Sequence, residues 1–185
     1  MEVIAQTPVT NHKMKKSITC FSILILLLIS GCSETKYNCQ SDKPKQLIGD
    51  FSSYQTLIDF ETLLNEKADT LIVFENSRLS DSDTRPEFSI YTVIIPNFTM
   101  TIGNGKLRAS FYNDRLMSVW FYPDDISEFE EILNSKYGIS LNENETIITD
   151  CVKIHKWKDF EGNIYFGWTD LKLSNDQNSW ISKYA

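Results

Sequence analysis

The stretch Lys106 to Tyr122 constrains the fold more than any other part of the chain, because its apolar residues alternate on both sides of a single break, Asn113-Asp114. Asn and Asp tolerate the left-handed backbone that a two-residue hairpin turn demands, and a period of two is what a half-buried strand requires. A turn at that dipeptide places Phe111 opposite Leu116, Ala109 opposite Ser118 and Leu107 opposite Trp120. That pairing gathers a mostly apolar face and leaves Arg108 and Ser110 on the other.

Strand signals continue on either side. Phe88 to Ile95 is rich in β-branched and aromatic residues and stops at Pro96-Asn97, and Phe98 to Ile102 follows before the Gly103-Asn104-Gly105 turn. Further strands are expected at Thr70 to Phe74, at Thr146 to Trp157 and, after a turn through Asp159, Glu161, Gly162 and Asn163, at Ile164 to Leu173. Ser179 to Tyr184 adds a short edge strand in this reading. Helical spacing occurs twice. Leu57, Ile58, Phe60, Leu63 and Leu64 predict an amphipathic helix over 53–66, capped by Ser52 and Ser53. Ile126, Phe129, Ile132, Leu133 and Tyr137 predict another, with Asp125 as cap, Glu128 as its capping-box partner and Gly138 as the stop. The expected fold is α+β: an antiparallel sheet of about six or seven strands with two packed amphipathic helices, in a single domain over 51–185. Helices cover one sheet face, and the other is partly exposed.

The first 31 residues read differently. Lys13, Lys15 and Lys16 precede an apolar run from Ile18 to Ile29, then Ser30, Gly31 and Cys32. This is the charged, apolar, small-residue order of a secretory signal. A membrane-spanning helix needs about 20 apolar residues, more than this run supplies, and a buried helix of a soluble domain normally carries a polar face that Ile23 to Ile29 lacks. Met14, directly before Lys15 and Lys16, reads as the start, with residues 1–13 upstream of it.

In the sequence Ile29-Ser30-Gly31-Cys32 the chain resembles a bacterial lipoprotein. The resemblance implies cleavage after Gly31, a diacylglyceryl thioether and an acylated amine on Cys32, and anchorage to a lipid bilayer. Ser33, rather than an aspartate, follows, which by the same resemblance implies the outer membrane in a Gram-negative source; in a Gram-positive one the anchor faces outward from the plasma membrane. Residues 32–50, polar and carrying Lys43, Pro44 and Lys45, are expected to form a lipidated flexible tether.

Losing three lysines and Glu2 with the signal takes the formal net charge from −7 to about −9. That balance disfavours nucleic acid and anionic headgroups as partners; a basic protein partner or simple solubility accords with it. Once Cys20 leaves with the signal and Cys32 is acylated, Cys39 and Cys151 remain. In an exported chain this suggests a disulfide, the alternative being two unpaired thiols. No cysteine pair has zinc-site spacing, and no cofactor is expected.

Catalytic groups are sparse. His155, alternating with Ile154 and sharing its side with Lys153, is expected to face water. There is no glycine-framed serine, no phosphate-cradling loop and no histidine pair for a metal. Asp81, Asp83 and Glu87, or Asn142 to Glu145, could gather oxygens for calcium but lack the glycine and spacing of a dedicated loop. Aromatics are the better candidates: Tyr122, Tyr165 and Trp180 are expected to be exposed and available for binding. The expected function is a non-enzymatic protein-interaction module of the cell envelope, for assembly or for immunity or inhibition. The alternative is a carbohydrate- or peptidoglycan-binding lipoprotein, told apart by whether Trp120, Trp157 and Trp168 are buried. A hydrolase using carboxylates such as Asp124 or Asp170 comes last, since it needs two that converge.

Overall fold

Asn113 and Asp114 both take positive φ, 48° and 55°, and close the central hairpin as the sequence predicts. The computed structural model describes residues 39–64, 70–80, 82–101 and 103–185. The signal segment, Cys32, Asp81 and Ile102 lie outside the described residues. The strands are β1 (Gln46–Ile48), β2 (Phe51–Ser52), β3 (Ile72–Arg78), β4 (Ser89–Met100), β5 (Gly103–Tyr112), β6 (Arg115–Pro123), β7 (Glu145–Thr149), β8 (Val152–Lys158) and β9 (Ile164–Asp170). The helices are α1 (Leu57–Leu64), α2 (Ile126–Tyr137) and α3 (Leu171–Tyr184). Seven strands form one antiparallel sheet in the order β3-β4-β5-β6-β9-β8-β7, and β1 and β2 pair separately. The fold is α+β, with three helices among the described residues rather than two.

The hairpin register departs from simple alternation at one residue. Phe111 does face Leu116, but Ser110 faces Ser118, so Met117 is an unopposed bulge. Beyond it Ala109 faces Val119 and Leu107 faces Phe121, not Ser118 and Trp120. Because successive side chains point to opposite faces, this one extra residue sends Val119 and Phe121 into the core and turns Trp120 and Tyr122 to the opposite side. A second irregularity, between Ile95 and Phe98, lets Pro96-Asn97 sit inside one long β4 instead of separating two strands.

The first face of the sheet is closed by α1 and α2. Phe60 and Leu64 of α1, with Phe129 and Leu133 of α2, pack on Ile95, Leu107, Phe111, Val119, Phe121 and Phe166. Rings meet edge-on or tilted at 4.8–5.3 Å between Phe60 and Phe111, Phe121 and Phe129, and Phe129 and Phe166. Helix α2 has the predicted cap: the Asp125 carboxylate accepts from Glu128 N–H at 2.9 Å, and Gly138 at φ 66° stops it. Helix α1 starts later than expected, because Thr56 and Asp59 form the capping box while Ser53 Oγ accepts from Lys45 N–H.

Three further expectations are corrected. Thr146 to Trp157 is two strands, since Asp150 and Cys151 at positive φ turn the chain between β7 and β8. Ser179 to Tyr184 is the end of α3, not an edge strand. The Asp170 carboxylate caps that helix by accepting from Leu173 N–H, and Leu173, Trp180 and Tyr184 recur at helical spacing; the polar run Ser174 to Ser179 masks this pattern in the sequence. The flexible tether cannot extend to residue 50, because the compact unit begins at Cys39 and buries Cys39, Leu47 and Ile48. Cys39 is disulfide-bonded to Cys151, with Cα atoms 5.6 Å apart. No described helix is long and apolar enough to cross a membrane.

Candidate functional site

The second face of the sheet is only half covered. At one end α3 lies over Phe88, Tyr112 and Met117 through Leu173 and Trp180. A ladder of small buried polar residues, Thr92, Ser110, Ser118 and Thr169, crosses four neighbouring strands, with Ser118 Oγ donating to Thr169 Oγ1 at 3.0 Å. Beyond this ladder the sheet face has no covering element among the described residues, and the Trp120 and Tyr122 rings sent there by the Met117 bulge stand on it beside the cations of β5 and β8.

Two rows make up this open part. In the first, Arg108 faces Trp120, Trp120 faces Gly167, and Gly167 faces His155. In the second, Lys106 faces Tyr122, the Tyr122 and Tyr165 rings lie 5.2 Å apart, and Tyr165 faces Trp157. Cations sit on the rings: Lys106 Nζ is 4.1 Å from the Tyr122 centroid, Arg108 Cζ 5.2 Å from Trp120 and Lys153 Nζ 6.0 Å from Trp157. Toward β3 the same face carries Ile94, half-buried, with exposed Ile72 and Phe74.

His155 does not face water. It is 3 % exposed, its ring 4.7 Å from Trp157 and edge-on to Tyr165. The space it fills exists because position 167 is glycine: a Cβ there would stand 2.3 Å from His155 Cε1 and 2.7 Å from Trp120 Cδ1. Burial, and then the positive charge of Lys153, pushes the imidazole pKa down to about 4, so the ring is neutral at pH 7. Its Nδ1 is buried without a hydrogen-bond partner. Burial also pushes up the hydroxyls of Tyr122 and Tyr165, followed by the negative charge of Asp159 in the β8–β9 turn. Asp159 is itself held below the usual carboxylate range, first by the Asn163 amide.

Tyr122 and Tyr165 are thus brought together, each half-buried. Trp180 is not with them: it is 9 % exposed, stacked at 4.1 Å on Phe88, and its Nε1 donates to Pro86 O. Of the three tryptophans that discriminate a glycan site, Trp168 is buried, Trp120 is half-buried and Trp157 is 40 % exposed. Sequence reasoning missed Lys106, Lys153 and His155 as members of this face. The alternation of Lys106 and Arg108 around Leu107 was the available signal.

Elsewhere the chemistry is closed on itself. A cavity of about 290 Å³ between α2 and β8 holds the Lys156–Glu130 ion pair, and another of about 270 Å³ holds Arg85 paired with Asp83 at 2.8 Å. Asp170 is buried with Oδ2 unpartnered, and its charge, after burial itself, raises the Tyr54 hydroxyl to about 12. Asp124 follows the far end of β6, about 20 Å along the strand from the level of Asp170, so these carboxylates do not converge. Among the described residues no cluster of His, Cys, Asp and Glu could hold a metal ion. Asn142 to Glu145 form a turn in which Glu145 Oε2 accepts from Asn142 N–H, and the Asp81 position lies outside the described residues.

No family model, curated protein or solved structure matches the chain.

Proposed function

We propose that this chain is a lipid-anchored, non-enzymatic interaction module of the bacterial envelope that docks a protein partner on the uncovered half of its sheet. The observation that carries this reading is the composition of that half: Trp120, Tyr122, Tyr165 and Arg108 grouped on a rigid antiparallel platform, bordered by exposed apolar residues. Aromatic residues and arginine dominate binding energy at protein interfaces, and rigid presentation lowers the entropy cost of docking. The anchor is Cys32, through the lipoprotein-like sequence before it. A single acyl chain holds weakly, and several on one cysteine hold durably.

Two measurements test the two halves of this reading. Radiolabelled palmitate is expected to enter the wild type and not Cys32→Ala, which then leaves the membrane fraction; equal fractionation without label contradicts anchorage. Purification from detergent-solubilised envelopes is expected to return the same protein partner repeatedly with the wild type, and less than a tenth as much with Arg108→Glu/Tyr165→Ala. Repeated recovery of no partner contradicts docking.

Glycan binding is the second reading, favoured by the exposed Trp157 ring beside the Tyr122–Tyr165 pair. It predicts that peptidoglycan fragments quench tryptophan fluorescence in the wild type and not in Trp157→Ala.

A further inference from the structure

The open face has the opposite electrostatic sign to the chain. The full sequence carries a formal net charge of −7. Yet the strand positions pointing to this side include Lys106, Arg108 and Lys153 and no carboxylate. Glu75 pairs with Tyr91 and Glu145 with Lys156, which places both acids on the helix-covered side. Among the described residues none of the three cations forms an ion pair; each instead sits over a ring. The carboxylate felt by the two tyrosines is Asp159, at the rim, and it in turn feels the positive charge of Lys106.

An occupant that covers this face must remove water from those cations. Against a neutral or basic surface Arg108 and Lys153 would be left buried without counter-charge, which is strongly unfavourable, whereas carboxylates would complete them with charge-assisted hydrogen bonds. From this we infer that the docked partner is an acidic protein surface, with Asp or Glu side chains over Arg108 and Lys153 and an apolar contact against Ile72 and Phe74. The apolar end separates a protein from a polyanionic glycan, which has no comparable use for two exposed aliphatic and aromatic side chains beyond the cations. The open face runs from β3 to β8, about 24 Å across five strand spacings, so one partner surface can meet both ends at once. This inference rests on the proposed use of the face for docking.

The test is photo-crosslinking in cells that natively make the chain, with benzoylphenylalanine placed singly at Phe74 or Tyr122 and at Glu131 of α2 as a control. Crosslinked peptides are identified by mass spectrometry. The expected result is adducts from both face positions to peptides of another protein rich in Asp and Glu. Their yield should drop at least tenfold in Arg108→Glu/Lys153→Glu, whose circular dichroism and melting should match the wild type. If that variant fails to fold, Arg108→Gln/Lys153→Gln is read in its place. Adducts to neutral or basic peptides overturn the acidic partner while leaving the docking face standing. Adducts to a second copy of this chain, to a glycan or to nucleic acid overturn the inference and the protein-docking reading with it. Absence of adducts at both face positions overturns both as well.

Discussion

Replacing Cys39 and Cys151 by serine is expected to lower the unfolding free energy by about 4–5 kcal/mol. The bridge joins residues 112 apart in sequence, so in the unfolded chain it restricts the freedom of every element before β8. In the folded protein it pins the segment before β1 to the β7–β8 turn, alongside the contacts of Asp42 with Lys172 and Tyr54. The neighbouring Lys45–Asp150 ion pair, at 2.9 Å, leaves Asp150 largely in water and contributes little by comparison. A domain of this size has a total stability of about 5–15 kcal/mol, so the double serine variant should be close to half unfolded at moderate urea where the wild type is intact. Urea unfolding of both proteins measures the difference; a loss below about 1 kcal/mol would mean that the unfolded chain is not constrained in the way the loop length implies.

A second large effect is expected at the slot that holds His155. Gly167→Ala should cost about 1–3 kcal/mol, since its Cβ would collide with both His155 and Trp120, and the buried His155 ring is held against Trp157 and Tyr165. In a His155→Ser background the same substitution should cost far less, a coupling that a double-mutant cycle reads directly. The imidazole also ties stability to pH. An unfolded histidine titrates near pH 6.5 and the folded one near 4, so the folded state resists protonation and the unfolded state accepts it first. The contribution is therefore fully present above pH 6.5, declines as pH falls, and is lost once pH passes below about 4. At about 1.4 kcal/mol per pH unit the whole limb amounts to about 3 kcal/mol. Wild type and His155→Gln, compared by urea unfolding from pH 7 to 4, should converge by that amount as pH falls; parallel curves would place His155 in solvent.

The sequence made helix α2 and the central turn legible because their signals are local: Asp125, Glu128 and Gly138 each act within one turn of helix, and Asn113-Asp114 acts within one turn of hairpin. Helix α3 escaped because its evidence is a sparse stripe, Leu173, Trp180 and Tyr184, in a run rich in Ser and Asn that favours no helix by itself. The open face escaped for a sharper reason. A strand pattern specifies which residues share a side only while the register is unbroken, and Met117 breaks it once. Trp120 and Tyr122 then change sides. Burial of His155 also depends on the absence of a side chain at Gly167, its direct partner on the neighbouring strand, a non-local fact that alternation along β8 cannot contain. Tyr122 and Tyr165 were legible as candidates because both are aromatic residues on expected strands. Trp180 shared that signature and is nonetheless core, since its partner Phe88 lies across the sheet.

Hydroxyl-radical footprinting compares the face in purified protein and in intact envelopes, and so tests directly whether it is occupied where the protein works. With a docked partner, Trp157, Tyr122 and Tyr165 are oxidised in the purified chain and protected in envelopes, while Trp168 and Trp180 react little in either. Equal oxidation of Trp157, Tyr122 and Tyr165 in both preparations would mean that nothing covers this half of the sheet, and the docking role would be lost.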